Sequence, residues 1–464
     1  LSLDDGELPL QCLLEFLDGK RAIEALKRTF LLKEGNVLFI NGALEKDIAQ
    51  RDTGTPDYSD LDFTKYVSIL EVNNPMHRLW SDGKWNKLTL AHGCYWGKCS
   101  FCDISLDYIA RYEPITADIL CNRIEQIIRQ TGQTGFHFVD EAAPPALMID
   151  LAIELIKREI CITWWTNIRF EKSFTKDVCM LLKRSGCIAV SGGLEVASDR
   201  LLAKMKKGVT IEQVTKVSHA FSQSGIMVHA YLMYGFPTET DQETIDSLEV
   251  TRQMFQSGII QSGFWHRFTM TAHSPVGLNP QDFDVEKSGP IFSGFAENDL
   301  YHIDTKGADH DLYSEGLRIS LYNYMNGAGF DVPLQKWFEH KIPKTSHPKN
   351  LIVKFMNEGY EKVRQNAKIY FLGNLPKIAL KQEEYTTLLF YDKNQNTEVE
   401  LPHQDAIWLL KVLPNLLISA DGMVVTDFVS SFLESESLHD IIEMDDFIQT
   451  EIGEMLSALG LVVI

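Results

Sequence analysis

No apolar run in this chain of 464 residues approaches the roughly 18 that a membrane-spanning helix needs, and no leader-like stretch opens it. A membrane span and an export signal are therefore not expected, and the sequence reads as cytoplasmic. Cysteine is scarce, eight in all, which excludes a disulfide-built scaffold. Positive charge is in deficit: Lys+Arg 44 against Asp+Glu 64 leaves a net −20, and the segment 381–464 holds 3 basic and 16 acidic residues. No basic patch offsets this balance, so nucleic acid and anionic membrane are not expected partners. Internal repeats and low-complexity tracts are also missing, and 45% hydrophobic with 23% charged is a globular composition.

What is present, between about Lys87 and Met270, is an alternation of short apolar runs and amphipathic stretches. Strands are expected at 87–91, 136–140, 161–166, 188–193, 228–235 and 263–270. Between the first two, Leu120, Ile124, Ile127 and Ile128 keep the spacing of a helix face, and later segments repeat the pattern. Six strands joined by five helices imply right-handed crossovers and a parallel sheet. Six units fall short of eight, so the expectation is an α/β fold with an open, partial (β/α)6 TIM-like barrel. Ligands in such sheets sit at the C-terminal ends of the strands.

The flanks divide the chain further. Residues 1–79 are read as a helix (Leu10–Phe30) and an Asp-rich linker, 80–285 as the barrel, and 286–380 as an extension packing on it, with a helix near Leu312–Met325. Residues 381–464 are read as a small acidic α+β unit. It opens with a hairpin over 386–401 around an Asn-Gln-Asn turn, and three acidic helical stretches and a final LVVI suggest a winged-helix-like unit. It would serve as a cap on the barrel's open side, or as a recognition module.

Three of the cysteines crowd into one loop directly after the first strand, GCYWGKCSFCD, as Cys94-x4-Cys99-x2-Cys102. Thiolates are soft ligands suited to iron–sulfur clusters and to zinc. A zinc ion could take His92 as a fourth ligand. A cluster held by three thiolates would leave one iron open to a small molecule. The other five, Cys12, Cys121, Cys161, Cys179 and Cys187, are scattered singly and read as small core residues.

The loop resembles the signature of the radical S-adenosylmethionine (SAM) superfamily, whose usual spacing is C-x3-C-x2-C. Here the first gap holds one extra residue. Three further segments match in family order: FVDEAAPP (138–145), SGGLEVASDRLLAKMKKGVT (191–210) and HAYLMYGFPTET (229–240). The resemblance implies a [4Fe–4S] cluster on Cys94, Cys99 and Cys102, and reductive cleavage of SAM to a 5′-deoxyadenosyl radical. It places Phe101 near the adenine and offers Asp140 or Glu141 to the SAM ammonium. Gly192 and Gly193 would allow close backbone approach to the cofactor, Glu195 would meet the ribose or methionyl group, and Gly235 would belong to the same site. Other readings of these residues stay open: Asp140 and Glu141 as caps of the helix near Pro144, and Glu195 as a helix-start acid.

His266, Arg267 and Thr269, on the sixth strand, are the candidate substrate contacts, although an interior histidine is as good a reading of His266. A low-potential electron donor, flavodoxin or ferredoxin, is the implied protein partner, and the substrate is a peptide or a small molecule. The text LSLDDGELPLQCLLEFLDG resembles the stretch that follows a cobalamin-binding domain in one branch of the superfamily, which performs radical methylations and rearrangements. Residues 1–79 are thus expected to end a lost or trimmed domain of that kind, with cobalamin bound only by a longer form. The rival expectation is a non-catalytic iron–sulfur or zinc adaptor that keeps the barrel for recognition.

Overall fold

The computed structural model describes residues 1–62, 65, 85–290, 298–357, 362–391 and 396–464. Its centre is one six-stranded sheet: β1 (Asn86–Leu88), β2 (Gly135–Phe138), β3 (Thr163–Ile168), β4 (Cys187–Glu195), β5 (Met227–Tyr234) and β6 (Ser262–Arg267). The strands lie side by side in chain order and every neighbouring pair is parallel, with β1 and β6 at the two edges. This is the open, partial (β/α)6 barrel of an α/β protein.

Five longer helices make the crossovers: α1 (Ala117–Thr131), α2 (Pro145–Lys157), α3 (Lys176–Arg184), α4 (Ile211–Gln223) and α5 (Asp241–Gln256). Their starts are written in the sequence. Thr116, Thr175, Thr210 and Thr240 each accept a backbone N–H at the head of a helix, and Thr240 with Glu243 completes a capping box. Proline opens α2 instead. Each strand turns one set of side chains outward to these helices. Phe136, Phe138 and Trp164 are fully buried with Leu120, Ile124, Ile127 and Leu151, and the rings of Phe138 and Trp164 meet edge to face at 5.6 Å. A further helix, α6 (Ser314–Met325), covers β6.

Several boundaries differ from the sequence expectations. The first helix spans Glu7–Leu17, not Leu10–Phe30, and the chain then forms an antiparallel hairpin, Thr29–Lys33 with Asn36–Ile40. The apolar spacing concealed that turn, made by Glu34 and Gly35, both at positive φ. The first barrel strand stops at Leu88, and Ala91–His92 pairs separately with Glu113–Pro114. The sixth stops at Arg267, beyond which Met270–Thr271 pairs with Asp299–Leu300.

Near the C-terminus, Tyr385–Tyr391 and Asn396–Pro402 form the expected hairpin, although Asn394 and Gln395 of its turn lie outside the described residues. Lys368–Phe371, ahead of the boundary expected at 381, pairs with both Met423–Val424 and Leu461–Val463. Phe371, Phe390, Trp408, Phe428 and Phe447 share a second buried core with this unit. It leans on the outer helices, not on the open side of the barrel. The Val463 N–H donates to Asp177 of α3 at 2.8 Å, and Asp421 pairs with Lys157 of α2. Among the described residues no helix is long and apolar enough to cross a membrane.

Candidate functional site

The cysteine loop leaves the sheet at the C-terminal end of β1. Gly93 stands at φ +70, where a Cβ would fall 2.3 Å from the Arg111 carbonyl oxygen, so glycine alone fits before Cys94. The Cys94 N–H donates to the Ile109 carbonyl at 3.0 Å. Cys99 is buried and Cys102 half-buried. A hydrogen bond from the Cys102 thiol, helped by Lys207 and Arg169, holds the Cys99 pKa below that of a free thiol against its burial. The long first gap is anchored from outside: Trp96 Nε1 donates to the Lys206 carbonyl at 2.8 Å, and Tyr95 Oη to Glu171 Oε1 at 3.0 Å. Gly208, at φ +73, leaves room for the Trp96 ring, which a Cβ there would approach to 2.2 Å.

Three thiols on one loop, two of them hydrogen-bonded and faced by cations, are a donor set that fits an iron–sulfur cluster. Among the described residues no three ligating side chains are already closed on one point. His92 does not join the thiols. Its Nε2 lies 3.1 Å from Asp5 Oδ1, and Asp5 Oδ2 lies 2.7 Å from Arg111 Nη2, so the N-terminal segment claims the imidazole. The Cys3His zinc arrangement is not what this geometry assembles.

Asp140 is fully buried. One of its oxygens accepts the Leu90 and Ala91 N–H groups at 3.1 and 2.9 Å and the other accepts Leu90 at 3.0 Å. Burial still pushes its carboxyl up to about 7. It caps no helix; it ties the end of β2 to the strand end that launches the cysteine loop. Glu141 beside it is exposed and makes no hydrogen bond among the described residues.

Gly192 and Gly193 serve protein packing. A Cβ on Gly192 would sit 2.6 Å from the Phe170 ring, and one on Gly193 2.1 Å from Glu195 Oε1 and 2.6 Å from Lys207 Nζ. Glu195 closes β4 at φ +61 and pairs with the buried Lys207 at 2.7 Å. It is not a helix-start acid, because the next helix begins at Asp199 under a Ser198 cap. Lys207 Nζ also stands 5.5 Å from the half-buried Phe101 ring. Gly235, at φ +83, donates its N–H to Glu239 Oε2 at 2.7 Å. Glu239 also takes the Phe236 N–H and the Thr244 hydroxyl, and burial pushes its carboxyl up to about 7.

The family model described as Radical SAM superfamily matches residues 88–250, from the last residue of β1 to most of α5. Those residues are a radical SAM domain. The chain is 25% identical over 386 residues to the anaerobic magnesium-protoporphyrin IX monomethyl ester cyclase of Rubrivivax gelatinosus, covering 79% of this chain and 62% of that protein. It is 24% identical over 183 residues to an uncharacterized methyltransferase of Pyrococcus horikoshii, 39% of each. The chain thus spans about three fifths of the first relative and two fifths of the second. Among solved structures, the cobalamin- and cluster-bound radical SAM methyltransferase TsrM from Kitasatospora setae aligns at a TM-score of 0.49 and 15% identity, covering 70% of this chain and 68% of that one. The cobalamin-dependent radical SAM enzyme OxsB aligns at 0.40 and 18%, covering 56% and 36%.

Inside the mouth of the radical SAM domain, register brings Gly193, Tyr231 and Phe264 into one row. His266 sits next to it, its ring centroid 6.0 Å from Tyr231 and 4.4 Å from Phe264. Desolvation lowers its pKa, and the Glu195 carboxylate opposes that shift. His266 therefore shares the interior with Glu195. Arg267 alternates to the other face and pairs with Asp311, while Thr269 lies exposed past the strand. Only His266 of the three joins the site.

Lys207, Glu239, Trp96 and Arg169 were absent from the sequence candidates. Lys207 belongs to the Lys-Gly turn and Glu239 to the Gly-Phe-Pro-x-Glu-Thr ending, so motif text pointed at both. No sequence signal marks Arg169, which follows β3 directly.

Proposed function

We propose that this protein is a radical SAM enzyme in which Cys94, Cys99 and Cys102 hold a [4Fe–4S] cluster. One observation carries the reading: three thiols share one loop at the C-terminal end of the first strand of the matched domain. The cluster, when bound, supplies the electron that cleaves SAM, delivered by flavodoxin or ferredoxin. The chain's own part is to bind and orient. Glu141 offers a carboxylate to the SAM ammonium, and Phe101 and the Glu195–Lys207 pair line the approach. Tyr231, Phe264 and His266 wall the substrate side and exclude water. Relatives named as a methyltransferase and a cyclase support radical methylation or ring closure of a small molecule as the reaction.

Anaerobic reconstitution followed by dithionite and SAM tests it. Slow release of 5′-deoxyadenosine without substrate is expected. Purification with zinc and no iron, and no SAM cleavage after reconstitution, would sink the reading.

A further inference from the structure

We propose that Arg169 is a positioning residue for the cluster: its guanidinium donates to the Cys99 sulfur and carries the enlarged Cys94–Cys99 gap. This rests on Cys94, Cys99 and Cys102 being the cluster ligands.

Arg169 is 3% exposed and sits at the end of β3, facing the cysteine loop. A guanidinium buried this deeply needs all its donors used. Nη1 donates to Cys99 Sγ at 3.9 Å, Nη2 to the Lys207 carbonyl, and Nε to Glu171 Oε1 at 2.9 Å. Its Cζ lies 4.2 Å from the centroid of the Trp96 ring. The Glu171 oxygen that takes Nε also takes the Tyr95 hydroxyl. Tyr95 and Trp96 open the gap that is one residue longer than usual, and both rest on this one side chain, directly or through Glu171. The extra residue is accommodated by a platform, not by a floppy bulge.

The charge matters as well as the shape. A reduced cluster carries one more negative charge than an oxidised one, and hydrogen bonds to cluster sulfurs are among the levers on its potential. An N–H from a cation, donated to a ligand thiolate in a water-poor site, stabilises the reduced form more than the oxidised. Arg169 therefore makes the cluster easier to reduce. Lysine would keep the charge but lose the fork and the flat face under Trp96.

The test is an EPR-monitored redox titration of the reconstituted full chain, with iron content measured alongside. Arg169→Gln should shift the reduction equilibrium at least tenfold toward the oxidised cluster, about 59 mV lower for a one-electron couple. Arg169→Lys should shift it the same way by less. If the glutamine variant fails to fold, the lysine variant decides alone. Iron content and potential equal to wild type in every variant that folds would overturn the proposal. Loss of iron from the glutamine variant with retention by lysine supports it. A wild-type protein that takes up no iron instead overturns the cluster reading and is recognised before any variant is compared.

Discussion

Glu195 Oε1 meets Lys207 Nζ at 2.7 Å only because residue 193 has no side chain: a Cβ there would lie 2.1 Å from that same oxygen. The pair joins the end of β4 to the turn that supports Trp96, with both side chains 10% exposed. Gly193→Ala should wedge it apart and cost about 1–3 kcal/mol, read as a lower midpoint in urea. Glu195→Ala should cost more, about 3–5 kcal/mol, because Lys207 is left buried without a counter-ion. SAM affinity, measured by equilibrium dialysis on the reconstituted protein, should fall in both. Unchanged affinity in Glu195→Gln would remove Glu195 from the SAM site while leaving its structural role.

Alanine at Cys94, Cys99 or Cys102 should each abolish iron retention and SAM cleavage. Full iron in any one of the three would break the ligand assignment. Cys121 is buried on α1, away from the loop, and Cys121→Ala should keep the cluster. Its cost should be limited to a small cavity, about 1 kcal/mol.

His92→Gln should leave metal content unchanged, because Asp5 and not a metal holds the imidazole. Its expected effect is on docking of the N-terminal segment, which is tied there through Asp5 to Arg111 and through Asp4 to the Tyr108 N–H. Limited proteolysis near residue 18 should quicken. Loss of metal on this substitution would revive the zinc arrangement.

Glu239 gives a pH prediction whose sign is the reverse of most carboxylates. Burial raises its folded pKa to about 7, above an unfolded value of about 4.3. Between those values the folded protein binds the extra proton, so Glu239 favours folding at low pH and loses that contribution as pH rises toward 7. Glu239→Gln keeps an acceptor for the Gly235 and Phe236 N–H groups and cannot ionise. The stability of wild type relative to this variant should therefore decline from pH 4 to 7. A flat difference would show that the carboxyl ionises in the folded state as it does in water.

Local pattern was enough for the barrel. Phe136 and Phe138 alternate with His137 as a strand requires, and Thr116, Thr175, Thr210 and Thr240 mark helix starts by the one hydrogen bond a threonine makes best there. The hairpin at Thr29–Ile40 was missed because its turn pair, Glu34-Gly35, sits inside apolar spacing that also suits a helix. The C-terminal unit was begun too late, since Lys368–Phe371 finds its partner strand about 90 residues onward and no local signal reports such a pairing.

The site divides in the same way. Cys94, Cys99 and Cys102 are adjacent in the chain, so spacing alone determined that their thiols share a loop, and strand order determined that the loop lies at the ligand-bearing end. The jobs of the surrounding residues were decided by the tertiary structure. Asp140 spends its oxygens on the Leu90 and Ala91 backbone, and Asp5 takes His92. Arg169 reaches Cys99 from 70 residues away. Each of these depends on which partner the folded chain brings within 3 or 4 Å of a buried polar group. That distance is set by the packing of the whole barrel, and no run of neighbouring residues encodes it.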